Sequence, residues 1–290
     1  MATIEQIERE LAALCQLVKA IAAEYSKAYT NYLQALGQAT RSQLILASYQ
    51  ICTQGYAKQF LSLSFNQRQQ LQQAIRKLGK KAASELLLLL NPKESEVETQ
   101  EAEEVEDNEL EGTEVRVLLN ENSMTSHSIL SPQSSLLGTL SSNPIELAQW
   151  QENLEEAIAH ILKTLSLETN HLLQQAGILP QKLPPPLLEA ATAASEAVSD
   201  LTATPPNLMN LLIETENSQE SEESSVTQLI AIQLRLPEIE FADAHVRSAR
   251  NQIRQLENRL NSLKREYQKK QRERMVAEAE AAWRSSWFEE

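Results

Sequence analysis

Apolar side chains return every three or four residues through most of this chain, most regularly near its end. There Ile239, Ala242, Val246, Ala249, Ile253, Leu256, Leu260, Leu263 and Tyr267 step by 3, 4, 3, 4. That repeat keeps one seam on one side of a helix and asks for a second helix against it. After Pro237 the stretch to 288 contains no proline and no glycine, which predicts a single long helix over 237–288, with the proline in its first turn.

The beginning of the chain follows the same rule. Ile4, Ile7, Leu11, Leu14, Val18, Ile21, Tyr25, Ala28, Tyr32 and Ala35 form a second seam, and Ala13, Leu17, Ala22, Tyr29, Leu33 and Leu36 widen it. A stripe that broad predicts more than one neighbouring helix. Gly37 is a weak point in this first helix, 44–56 either continues it or starts another, and Gly55 is a stop. Asn66 is placed to cap the next helix, with Leu71, Ile75, Leu78, Ala82, Leu86 and Leu89 on one face. The leucine run 86–90 is too short to span a bilayer and reads as a buried helix end.

Order resumes at Asn143-Pro144, a cap followed by a first-turn proline. Leu147, Trp150, Leu154, Ile158, Ile161, Leu165 and Leu172 line a helix that Gly177 ends. Pro184 to Pro186 form a stiff connector, 187–201 an Ala-rich helix and 208–213 an apolar turn. In 227–236 nearly every other residue is apolar, a pattern open to strand or helix; its helical surroundings favour helix.

Between these segments the pattern stops. Residues 91–142 and 214–226 are rich in Glu, Asp, Ser and Asn and read as acidic, disordered linkers. Within the first, Val115, Val117, Leu118, Leu119, Ile129, Leu130, Leu136 and Leu137 form short apolar islands. The organisation expected is thus an N-terminal helical segment (1–90), a linker (91–142), a central helical segment (143–213), a second linker (214–226) and a coiled-coil helix (227–290). With only 4% aromatic residues and 6 glycines in 290, a turn-rich sheet protein is disfavoured. The fold class expected is all-α, an elongated helical bundle.

Charge decides how the two seams are used. A parallel homodimer through 239–267 would have no opposite-charge contact between its flanking positions, whereas an antiparallel match to the first helix sets Glu5, Glu8 and Glu10 beside Lys264, Arg265, Lys269 and Lys270. Such exposed pairs select an orientation more than they stabilise it. The first and last helices are therefore expected to pair antiparallel, with the 143–177 helix packed against them.

The whole chain has 26 basic and 40 acidic residues, a net charge of −14. It repels nucleic acid and anionic membrane except through a local basic patch. Residues 247–274 supply one, with 10 basic and 3 acidic groups, and Lys264, Arg265, Lys269, Lys270, Arg272 and Arg274 continue past the failing seam. A helix that is polar all round either stands in solvent or lies on phosphates. The tail then turns apolar at Trp283, Trp287 and Phe288, which either anchor a partner or cap the bundle core.

Signatures of chemistry are sparse. His160 and His171 share a helix with Glu156 and Glu168, but only one Glu-x-x-His motif is present, and a di-metal bundle needs two. These histidines read as surface residues, and no metal or cofactor is expected. The sequence contains no G-x-S-x-G elbow, no G-x-x-x-x-G-K-[ST] loop and no G-x-G-x-x-G turn. Cys15 and Cys52 stand 37 positions apart, outside any C-x-x-C pair, and read as buried thiols in a reducing compartment.

The closing runs Arg-Glu-Tyr-Gln-Lys-Lys-Gln-Arg-Glu-Arg and Ala-Glu-Ala-Ala-Trp-Arg-Ser-Ser-Trp, within 265–287, resemble uncharacterised helical proteins of cyanobacteria. The resemblance covers the last fifth of the chain, brings no activity and implies a bacterial cytoplasm. Together with the absence of a secretory signal or membrane span, the expectation is a cytoplasmic protein, at most peripheral to a membrane. The function expected is a non-enzymatic adaptor or scaffold that binds other proteins through its coiled coil and acidic segments. The alternative is a peripheral binder of anionic membrane or nucleic acid through 264–274.

Overall fold

The computed structural model describes residues 3–90, 142–180, 205–215 and 225–287. Almost all of the predicted linker 91–142, the predicted helix 187–201, the triple proline and Phe288 lie outside the described residues.

Helix α1 (Ile4–Gln50) runs roughly 70 Å at 1.5 Å per residue. It does not weaken at Gly37, and a π-helical turn (Ile51–Gly55) ends it. Instead, Gly37 faces α3 (Phe65–Leu88): a Cβ there would stand 3.2 Å from Ala83 Cα, so the missing side chain is what lets the two backbones cross closely. A short helix, α2 (Ala57–Ser62), leads into α3, whose cap is Ser64 rather than Asn66. The Ser64 hydroxyl accepts from Gln67 N (3.3 Å) while Ser64 N donates to Gln67 Oε1 (2.9 Å), a reciprocal pair that starts the helix two residues earlier.

Helix α4 (Pro144–Gln175) starts as its sequence predicts, with Asn143 Oδ1 accepting from Ile145 N and proline in the first turn. It ends before Gly177, which adopts φ +74°. The α4 helix runs parallel to α1: Tyr25 bonds Gln151 and Tyr29 bonds Glu155, a constant offset that sets Pro144 level with Val18.

Two expectations change in the following region. The stretch read as an apolar turn is strand β1 (Leu208–Thr215), and the stretch read as helix is strand β2 (Ser225–Ile232). They pair antiparallel from Leu208 opposite Ile232 to Thr215 opposite Ser225, so part of the predicted 214–226 linker is sheet. Helix side chains take the place of a third strand along the other edge of β2. Tyr56 Oη accepts from Ile230 N (3.0 Å), Asn170 exchanges both bonds with Ile232 (2.8 and 2.9 Å), and Ser166 Oγ accepts from Leu234 N (2.9 Å). Those alternate residues are the ones whose backbone groups point away from β1, and capping them removes a free edge.

The expected single C-terminal helix is also two. Helix α5 (Leu236–Ala242) ends at Asp243, an extended residue whose carboxylate accepts from His245 N (2.7 Å) and Val246 N (3.2 Å) to start α6 (Ala244–Ser286). A side chain that caps a new first turn competes with continuing the old one. Helices α1 and α6 form the expected antiparallel pair within one chain, held by Glu24–Arg259 (2.6 Å) and Glu10–Lys270 (2.7 Å). Helix α1 thus has α3, α4 and α6 around it, which accounts for its broad stripe; below Val18, among the described helices, only α6 remains beside it. The chain is all-α in class, with one small antiparallel hairpin pinned to its side.

Candidate functional site

Helix α6 carries both faces that matter. Its inner face holds the seam: Ile239 on α5 and Val246, Ile253, Leu256 and Leu260 on α6 are buried, whereas Leu263 and Tyr267 are half-buried because only α1 still covers them. Ala242, expected in the seam, is exposed at the α5–α6 break.

Within this inner face sits a buried charge cluster. Arg250 donates from Nε to Glu240 (2.5 Å), from Nη1 and Nη2 to Glu155 (2.6 and 2.9 Å), and from Nη2 to Tyr32 Oη (2.6 Å). Its guanidinium carbon lies 4.4 Å from the Tyr32 ring centre, and Tyr32 in turn donates to Glu240 (2.6 Å). Tyr29 donates to Glu155 (2.7 Å) and packs edge-on against Trp150. Burial works against the charge on Arg250, but the bonds to Glu155 and Glu240 and the charge on Glu155 hold its pKa above the ordinary value. Burial first, and then Glu155 or Glu240, pushes Tyr29 and Tyr32 well above the usual phenol value; Tyr25 is raised by burial, Glu257 and Glu155. Phenols held neutral and a guanidinium bonded to two glutamates and a tyrosine make a clasp between α1, α4, α5 and α6.

The other chemical candidates also have local partners. Glu168 lies 3.5 Å from Lys81, and a His171 ring nitrogen lies 2.9 Å from Gln175 Nε2. Among the described residues no group of three or more metal-donor side chains assembles. Cys52 is buried, which pushes its thiol up to about 11, while Cys15 is only half-buried.

The predicted basic residues separate into two sets. Lys270 pairs with Glu10 and Glu273 (2.8 Å), Arg274 lies 3.3 Å from Glu278, and Lys264 is half-buried. Arg265, Lys269 and Arg272 are exposed and pair with no described carboxylate. They belong to a row that sequence reading missed, because it crosses the boundary between seam and tail. Arg247, Arg254, Arg265, Lys269, Arg272, Val276, Trp283 and Trp287 are separated by 7, 11, 4, 3, 4, 7 and 4 positions, all near whole helical turns, and all are exposed. Glu257 flanks the row on one side. On the other stand Glu273 and Glu280, paired with Lys270 and Arg284.

At the end of this row no other described helix accompanies α6. The register of the two interhelical ion pairs puts Thr3 roughly level with Glu278, so α6 continues past the described start of α1. Trp283 and Trp287 are each 67% exposed and contact one another at 5.9 Å, so they do not cap the core. Nearer the bundle, Leu17, Ala20, Ile21, Asn258, Arg259, Ser262 and Leu263 line an open groove of about 480 Å³ between α1 and α6, where α4 has not yet begun.

The class defined by fold and site is a small all-α bundle with an exposed, basic and aromatic helix face. No family model, no curated protein and no solved structure matches the chain. Among the described residues no helix is long and apolar enough to cross a membrane.

Proposed function

We propose that this chain is a non-enzymatic helical adaptor, which works by docking other macromolecules on its exterior. The observation that carries the reading is the pair Trp283 and Trp287, left two-thirds exposed on a helix end that extends past its neighbour. Large aromatic side chains at that exposure are a favoured anchor for partners. The coiled-coil seam is occupied by the chain's own first helix, so docking falls to the outer face of α6 and to the segments between the helices.

A photo-crosslinking residue placed at Trp283 in the cells that make the protein tests this. The expected result is an adduct at 283, to protein or to lipid, that is absent when the same residue replaces Gln73, an exposed position on α3. Equal labelling at both positions, or none at 283, refutes docking at this site.

A further inference from the structure

We infer that the outer face of α6 binds an anionic lipid surface, with the five cations of its exposed row on headgroup phosphates and carboxylates and the two indoles inserted at the interface. The inference rests on the docking reading above and names the partner.

The geometry carries it in three steps. First, Arg247, Arg254, Arg265, Lys269 and Arg272 share one face opposite the seam, and none pairs with a described carboxylate. Arg247 only lies over the exposed Phe241 ring, at 5.9 Å. Within α6 the other cations meet glutamates: Arg250, Arg259, Lys270, Arg274 and Arg284 are each paired, and Lys264 is half-buried. The exposed, unpaired cations of this helix are thus gathered on one line. Second, that line lies along the outer surface of one helix, away from the seam, and runs roughly 60 Å from Arg247 to Trp287. Such a surface offers no pocket for a partner's side chain, whereas a fluid bilayer surface conforms to it. Third, the row ends in Val276, Trp283 and Trp287, which are 52%, 67% and 67% exposed. Indoles beside cations are the composition of helices that lie at the headgroup boundary.

The net charge of −14 does not oppose this contact, because acidic groups farther away than about 10 Å are screened at physiological salt. Each cation near an anionic leaflet adds attraction that falls off over the same distance.

The test uses the full chain and vesicles made of equal parts phosphatidylserine and phosphatidylcholine, with phosphatidylcholine alone as control. Co-sedimentation and tryptophan emission are read together; Trp150, packed on Tyr29, supplies a constant background. Expected are binding to the anionic vesicles, a blue shift in emission, and weakening by added salt. The quadruple change Arg254→Glu, Arg265→Glu, Lys269→Glu and Arg272→Glu touches only exposed side chains, so helicity persists; it lowers affinity at least about tenfold. Trp283→Ala with Trp287→Ala removes the blue shift and weakens binding. No binding to anionic vesicles, equal binding to the control vesicles, indifference to either set of changes, or tighter binding to polyuridylic acid than to vesicles overturns the inference. Because the crosslink at 283 reports protein or lipid, a protein adduct there with no vesicle binding would overturn the lipid partner and leave docking standing.

Discussion

Single side chains decide how firmly the helices are joined. Arg250 and its two glutamates have only 12%, 14% and 28% of their side chains exposed, so removing the cation strands two carboxylates in a poorly solvated place. Arg250→Met is expected to destabilise the chain by about 3 kcal/mol, measured by urea unfolding, and Glu240→Gln by less. The tyrosines around it predict an alkaline limit. Their folded pKa values lie above the unfolded value near 10, so the stability from keeping them protonated is complete below pH 10 and is lost as pH rises further. Phenolate absorbance of Tyr25, Tyr29 and Tyr32 is expected to appear only together with loss of helicity. At the other extreme, Lys270 hydrogen-bonds Glu10 and holds its carboxyl below the usual value, so that contact persists above the ordinary carboxylate range and fails on acidification. Cys52, buried with a raised pKa, is expected to react with alkylating reagents more slowly than half-buried Cys15, as mass spectrometry of partly modified protein would read.

The elements show where pattern was legible and where it was not. The 3,4 steps identified α1, α3, α4 and α6, because each buries a face against another helix and the helical period records that face. Asn143, Pro144 and Gly177 marked the ends of α4 for equally local reasons. Three features escaped: the β1–β2 hairpin, the break at Asp243 and the crossing at Gly37. In β2 the residues Val226, Thr227, Ile230 and Ile232 are β-branched, a signal for strand, but eight residues are too few to separate the two periods. It is a strand because β1 pairs with it along its length and Asn170, 62 positions away, satisfies the outward backbone groups of Ile232. Asn170→Leu is expected to free the Ile232 amide to exchange faster than the rest of the sheet while α4 stays protected. The break at Asp243 and the crossing at Gly37 were hidden likewise, since each depends on what lies alongside. Gly37→Leu is expected to drive α1 from α3 and lower stability by about 2 kcal/mol, because Ala83 backbone cannot yield.

For the molecule as a whole, the seam that most resembles a dimerisation device is closed within the chain. Light scattering on a sizing column is expected to give a monomer over a wide concentration range, and a stable dimer would show that the α1–α6 pairing forms between chains. Charge had pointed to this pairing: the contact of Glu10 with Lys270 is among those expected, although Arg265 and Lys269 face solvent instead of Glu5 and Glu8. Amino-acid order by itself determined what is local or periodic: helical class, the positions of the long helices, the ends of α4 and the two seams. Tertiary structure decided what needs two distant segments at once, because burial and hydrogen-bond satisfaction belong to pairs of surfaces. The hairpin required a helix to cap its edge, and the clasp required four helices to enclose Arg250. The basic row became visible only after five cations of α6 found glutamates and five others were left on one exposed line.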